Sequence, residues 1–168
     1  MRVFAICLCW LLFVCVFATA DNSQQDLFKS VLTTTPSNLP SGLTVVSMKS
    51  ITDFDSDAKK AGLTNEVEIK FAGADDKTFV NYYFFSSADA VAAWDKQYFA
   101  DMHPGKQLST PMGAQCANFP NGSGYCDFVA QDLTVLITTR GPASIAEELM
   151  KSAYDNLITL AKKATPSQ

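Results

Sequence analysis

The chain has 168 residues, a formal net charge of −4 and hydrophobic residues at 48% of its positions. This length suits one domain with a substantial hydrophobic core. The Lys and Arg residues are scattered along the chain, whereas phosphate groups bind clustered positive charge, so neither nucleic acid nor an anionic membrane surface is expected as a partner.

The first twenty residues predict an export signal. Arg2 is the only charge before an apolar run, and Ala18-Thr19-Ala20 has the small-x-small pattern of a cleavage site. A membrane anchor is the alternative, because residues 3–20 reach the lower limit for a membrane span. Export is preferred because polar residues follow at once. We therefore expect a secreted or periplasmic protein with no stable membrane association after cleavage.

Residues 21–42 are predicted to be a short helix and a linker. Ser23 and Asp26 have capping-box spacing, and an apolar patch runs from Leu27 to Leu32. A helix of this length is unstable alone, so its patch must dock on the rest of the chain. It is a candidate cover for a sheet face.

Residues 43–168 are expected to form a single α+β domain. Residues 43–51 read as a first strand. Residues 66–71 alternate between charged and apolar side chains, and a turn at 73–77 joins them to the aromatic run at 79–85. This pattern predicts an antiparallel hairpin.

The aromatic strand should be covered on both of its faces. Alternation places Phe79, Asn81, Tyr83 and Phe85 on one face and the apolar residues Val80, Tyr82 and Phe84 on the other. Helices can cover one face, and the other needs a second layer, a partner subunit or a ligand. The first four residues are therefore the candidate ligand-binding set. A small apolar molecule, another protein or a second copy of the chain would be the partner.

A helix follows this strand. Ser86 and Asp89 have capping-box spacing, and Val91, Trp94, Tyr98 and Met102 form an apolar stripe. The helix should end before Pro104, because the residue preceding a proline avoids the helical region. Residues 103–112 are predicted to be a loop.

Cys116 and Cys126 are the two cysteines that follow the predicted signal. Two cysteines in an exported chain favour a disulfide, and a metal pair is the alternative. Both lie five residues from Asn121, and a hairpin centred there would set them opposite each other within bonding distance. Asn121-Gly122-Ser123 is also a sequon for N-glycosylation.

The C-terminal part predicts a strand at 133–139, a break at Gly141-Pro142 and a helix that begins at Ser144. The whole chain therefore predicts an antiparallel sheet of about six strands with two long helices packed on one face, plus the short N-terminal helix. This is a two-layer sandwich with a ferredoxin-like or α+β-barrel-like layout. Such a layout carries no function by itself.

The sequence offers one pair of candidate catalytic residues. His103 is the only histidine, and with Tyr98 it is a candidate for acid–base chemistry. The alternative is an exposed histidine at a helix end. No cofactor or metal is expected, because the chain carries no zinc, phosphate-loop, dinucleotide or serine-nucleophile motif.

Three functions follow from these patterns. The preferred one is an exported, disulfide-stabilised binding domain without enzymatic activity. The second is a cofactor-independent enzyme of α+β-barrel type that uses His103. The third is a structural secreted protein whose open sheet face is covered by the N-terminal helix.

Overall fold

The computed structural model describes residues 23–75, 77–101, 106–109 and 112–164. The predicted export signal lies outside these residues. In chain order the elements are α1 (23–33), β1 (Thr44–Ile51), α2 (Ser56–Lys60), β2 (Leu63–Ala72), β3 (Phe79–Phe85), α3 (Ala88–Asp101), β4 (Lys106–Ser109), β5 (Gln115–Asn118), β6 (Ser123–Ala130), a 3₁₀ turn (Gln131–Leu133), β7 (Val135–Pro142) and α4 (Ala146–Ala164).

The strands form one antiparallel sheet in the order β1-β2-β3-β7-β6-β5-β4. Two meanders, β1-β2-β3 and β4-β5-β6-β7, join where β3 pairs with β7. The α+β class and the antiparallel sheet are therefore confirmed. The described sheet has seven strands because β4 falls in the region predicted as a loop. Its sequence KQLS has little strand propensity, and β4 exists through its pairing with β5.

One face of the sheet carries the main hydrophobic core. Val80, Tyr82 and Phe84 on β3 point into it and are fully buried. Helix α4 packs here, and the Tyr82 hydroxyl donates a hydrogen bond to the Ala153 carbonyl at 3.0 Å. We call this surface the main-core face. On the main-core face, α4, the longest of the described helices, packs against β3 and β7.

Helix α1 packs on the main-core face as well. Leu27 and Val31 are buried in its cluster, and the rings of Phe28 and Phe84 meet edge to face with centroids 5.5 Å apart. The Gln24 side-chain amide donates to the Phe85 carbonyl at 2.7 Å. The prediction that the helix docks through its apolar patch is confirmed. It lies on the same face as α4, whereas the third functional hypothesis placed it over the open face.

Helix α3 lies against the opposite face. Val91 and Trp94 pack with Phe85 and Leu136, and the Phe85 and Trp94 rings are 5.9 Å apart. This differs from the expectation that both long helices share one face. Both faces of β3 are apolar, so the sequence pattern alone did not indicate which face α3 covers. In the structure, α3 packs against Phe85 at the end of β3 and so covers the face to which Phe85 belongs.

The start of α3 is shifted by one residue from the prediction. The Ser87 hydroxyl, not that of Ser86, accepts a hydrogen bond from the Ala90 amide at 3.1 Å. Ser87 therefore caps the helix that begins at Ala88. The two adjacent serines made the register ambiguous in the sequence.

The predicted disulfide is confirmed. Cys116 and Cys126 pair directly across β5 and β6, with their Cα atoms 4.0 Å apart, and both residues are buried. The turn centred near Asn121 sets this register. The disulfide therefore links the two strands of the β5–β6 hairpin covalently.

Replacing both cysteines, Cys116→Ala with Cys126→Ala, should lower the free energy of unfolding by about 2.5–3 kcal/mol, because the disulfide closes a short loop in the unfolded chain. Urea denaturation measures this loss. Wild-type protein reduced with a thiol should lose a similar amount. Equal stability of oxidised and reduced protein would contradict the stabilising role.

Truncating Leu27→Ala should cost about 2–5 kcal/mol, because the side chain is buried in the main core. Thermal and urea denaturation report this loss. Lys29→Ala is the matched control on the same helix, since the Lys29 side chain is 70% exposed and should change stability by less than about 0.5 kcal/mol. If the two variants were equally stable, α1 would not be part of the core.

Candidate functional site

A line of polar side chains crosses the face of the sheet opposite the main core. We call this surface the polar face and the line the polar row. Strand register sets its members side by side, and such neighbours have Cβ atoms about 4.5–5.5 Å apart. From one edge inward, the polar row consists of Lys49 on β1, Glu68 on β2, Asn81 on β3, Thr138 on β7 and Asp127 on β6.

Burial increases steadily along the polar row. Lys49 is exposed, and the Glu68 side chain retains 21% of its accessible surface. Asn81 retains 7%, and Thr138 and Asp127 retain 1% each. The polar row therefore leads from solvent into the interior of the molecule, where α3 covers its far end.

The buried part of the polar row holds acceptors that lack donors. The Asn81 amide nitrogen donates to the Tyr83 hydroxyl at 2.8 Å. Among the residues that the structure describes, none donates a hydrogen bond to Asn81 Oδ1 or to either carboxyl oxygen of Asp127. Buried polar atoms are normally paired, because leaving one unpaired costs about 1–3 kcal/mol.

Burial also changes the ionisation of the acids on this face. It raises the pKa of Asp127 from 3.8 to about 8, with a smaller contribution from the nearby carboxyl of Asp95 on α3. Burial raises the pKa of Asp95 as well. The pKa of Glu66 rises to about 7, first through burial and then through repulsion from Glu68. At pH 7 the Asp127 carboxyl is therefore mainly neutral.

The four residues predicted to bind ligand differ in their surroundings. Asn81 belongs to the buried part of the polar row, and Phe79 and Tyr83 are half-buried on either side of it along β3. Phe85 is completely buried in the cluster beneath α3. One of the four residues is therefore in the polar row and two flank it, whereas Phe85 packs against α3.

The remaining candidates lie elsewhere or outside the described residues. His103 and the side chain of Tyr98 are outside them, so the acid–base pair stays a prediction. Asn121 is exposed at the tip of the β5–β6 hairpin. Within the described ranges, no group of three or more His, Cys, Asp or Glu side chains could hold a metal ion.

Sequence reasoning missed Glu66, Asp127 and Thr138 as members of this site. The alternation of charged and apolar residues at 66–71 predicts that the charged residue Glu66 faces solvent, but the structure buries it on the polar face. Asp127 is a single acid between apolar residues in a strand, and that was a usable signal, because an unpaired buried acid is uncommon. Its position beside Thr138 and Asn81 required the strand order.

Comparison with known proteins gives no match to a protein-family model, a curated protein or a solved structure. None of the helices in the described part of the chain has both the length and the apolar composition of a membrane span. The observations that bear on function are therefore the burial, the unpaired acceptors and the pKa values of the polar face.

The raised pKa of Asp127 predicts a stability that depends on pH. The folded-state pKa of Asp127 lies above that of the unfolded chain. The contribution of its carboxyl to the free energy of unfolding is therefore fully present below about pH 4 and is lost as the pH rises to about 8. Asp127→Asn keeps a neutral side chain of the same shape. The free energy of unfolding of this variant, relative to wild type, should increase by about 2–5 kcal/mol between pH 4 and pH 8. The upper end of this range follows from about 1.4 kcal/mol for each pH unit of pKa difference.

Urea denaturation at several pH values measures this gain. Asp132→Asn is the control, because Asp132 is exposed on the 3₁₀ turn, and its difference from wild type should stay constant across the range. A constant difference for Asp127→Asn as well would mean that Asp127 is solvated or paired in the folded protein.

Proposed function

We propose that this protein is an exported binding domain that takes a small amphipathic molecule on the polar face. The polar head of the ligand lies at the polar row. The observation that carries this proposal is the set of buried acceptors, Asn81 Oδ1 and the Asp127 carboxyl oxygens, that have no donor within the described residues. A ligand that donates hydrogen bonds to them would offset the cost of their burial.

The electrostatics of the polar face favour a neutral head group. Asp127 is mainly uncharged at pH 7, so its carboxyl can both donate and accept a hydrogen bond. Asn81 offers an acceptor. A hydroxyl or an amide matches this combination, whereas a carboxylate or another anion without a hydrogen to donate leaves the Asn81 oxygen unpaired.

The apolar part of the ligand has aromatic partners on the same strand. Phe79 and Tyr83 flank Asn81 at i ± 2, which places all three side chains on one face. Both rings are half-buried and offer apolar surface close to the polar row. Ligand sites commonly combine aromatic walls with a few polar groups in this way.

The disulfide supports the exported location. Disulfides persist in oxidising compartments and are rare in the cytosol. The buried Cys116–Cys126 bond therefore agrees with the export signal that the first twenty residues predict.

Native mass spectrometry of protein from an exporting host tests this proposal. We expect wild-type protein to carry an additional mass that is lost on denaturation. Asn81→Leu should remove that mass, because it removes the acceptor and the Tyr83 hydrogen bond while filling a similar volume.

Asn156→Leu is the matched control. Asn156 is also a buried asparagine, but it lies on α4, so this variant should retain the ligand. A bare wild-type protein, or equal loss of ligand from both variants, would overturn the proposal.

A cofactor-independent acid–base enzyme is the second candidate. The pKa values of Glu66 and Asp127, about 7 and about 8, are those of groups that exchange protons near neutral pH. Incubating the identified ligand with the protein separates the two functions. Recovery of unchanged ligand supports binding, and conversion that is lost in Glu66→Gln supports the enzyme.

A further inference from the structure

The tip of the β5–β6 hairpin presents the sequon Asn121-Gly122-Ser123 to solvent. The Asn121 side-chain oxygen accepts hydrogen bonds from the Ser123 amide at 3.1 Å and from the Ser123 hydroxyl at 2.7 Å. Gly122 has a φ of +82°, which suits glycine and closes the turn. With its oxygen held by Ser123, the amide nitrogen of the exposed Asn121 faces away from these contacts.

We propose that Asn121 is N-glycosylated during export. It is the one N-x-S/T sequon in the sequence. In the reaction a lipid pyrophosphate-linked sugar is the donor. The Asn121 amide nitrogen forms a bond to the anomeric carbon, and the bond from that carbon to the pyrophosphate oxygen breaks. The lipid pyrophosphate leaves with the electron pair of that bond, and the amide proton passes to solvent. No oxidant or reductant takes part.

The folded surface has room for the first sugars. A depression of about 270 Å³ lies beside the turn, lined by Asn121 and Ser123 together with Lys77 and Arg140. Both cationic side chains are on exposed residues and can donate hydrogen bonds to sugar hydroxyls. A glycan at Asn121 therefore meets polar side chains among the described residues that line this depression.

The attachment site of the glycan lies apart from Asp127, the buried end of the polar row. Asp127 lies four residues from Ser123 along β6, and a strand rises about 3.4 Å per residue, so the two are more than about 10 Å apart. Arg140 and Ser123 lie toward one end of the strands, and α3 packs at the other end against Phe85. Arg140 pairs directly with Phe79, so the first sugars would lie at the Phe79 end of the polar face. The glycan proposal rests on the sequon and the hairpin and not on the proposed ligand.

Expression of the full chain with its own leader in a eukaryotic secretory host tests the proposal. We expect secreted wild-type protein to lose mass on treatment with a peptide-N-glycosidase, with deamidation at position 121 in the peptide map. Asn121→Gln and Ser123→Ala should each abolish the shift. Ser123→Thr should retain it, because threonine also completes a sequon.

Asn118→Gln is the matched control, since Asn118 lies at the end of β5 in the same hairpin but outside any sequon. Its glycan should be unchanged. Secreted, disulfide-bonded protein with an unmodified Asn121 would overturn the proposal. Failure of the leader to export the chain would overturn it too, because glycan transfer occurs only on exported chains.

Discussion

The pairing of β3 with β7 is the interaction on which the rest of the structure depends. Six consecutive residue pairs, from Phe79 with Arg140 to Phe84 with Val135, join the two meanders into one sheet. These residues are far apart in sequence, so the pairing carries a loop-closure cost that local hairpins do not have. Burial of both strands between α4 on one side and α3 on the other supplies the compensating apolar contacts.

The two faces of this central pair have different physical characters. The main-core face is filled by apolar side chains from α1, α4 and the strands, and its burial stabilises the fold. The polar face buries Asn81, Thr138 and Asp127 beside a smaller apolar cluster. Burial of polar atoms without partners opposes folding. The unpaired acceptors on this face are the reason why the proposed ligand is placed there.

Local sequence patterns were sufficient for the disulfide and for the two faces of β3, although they placed the cap of α3 one residue too early. The disulfide register followed from the turn between Cys116 and Cys126, and the alternation of β3 correctly divided its residues between two faces. The helix faces and the polar row depend on strand order, which sets Asp127 beside Thr138 and Asn81 across three strands. No short-range pattern encodes that order. The sequence did not predict strand β4 for the same reason, because β4 forms through its pairing with β5.

The polar row can be approached from the β1 side of the sheet. Helix α3 closes the polar face at the Phe85 end, and the hairpin that carries Asn121 stands at the other end of the strands. The polar row reaches solvent toward β1 and β2, where Lys49 is exposed. Strand β1 is an edge strand, but its pairing is interrupted by a bulge at Val46, and bulges and lysines on edges oppose the addition of another strand. This side consequently suits entry of a small molecule along the polar row better than docking of an extended peptide.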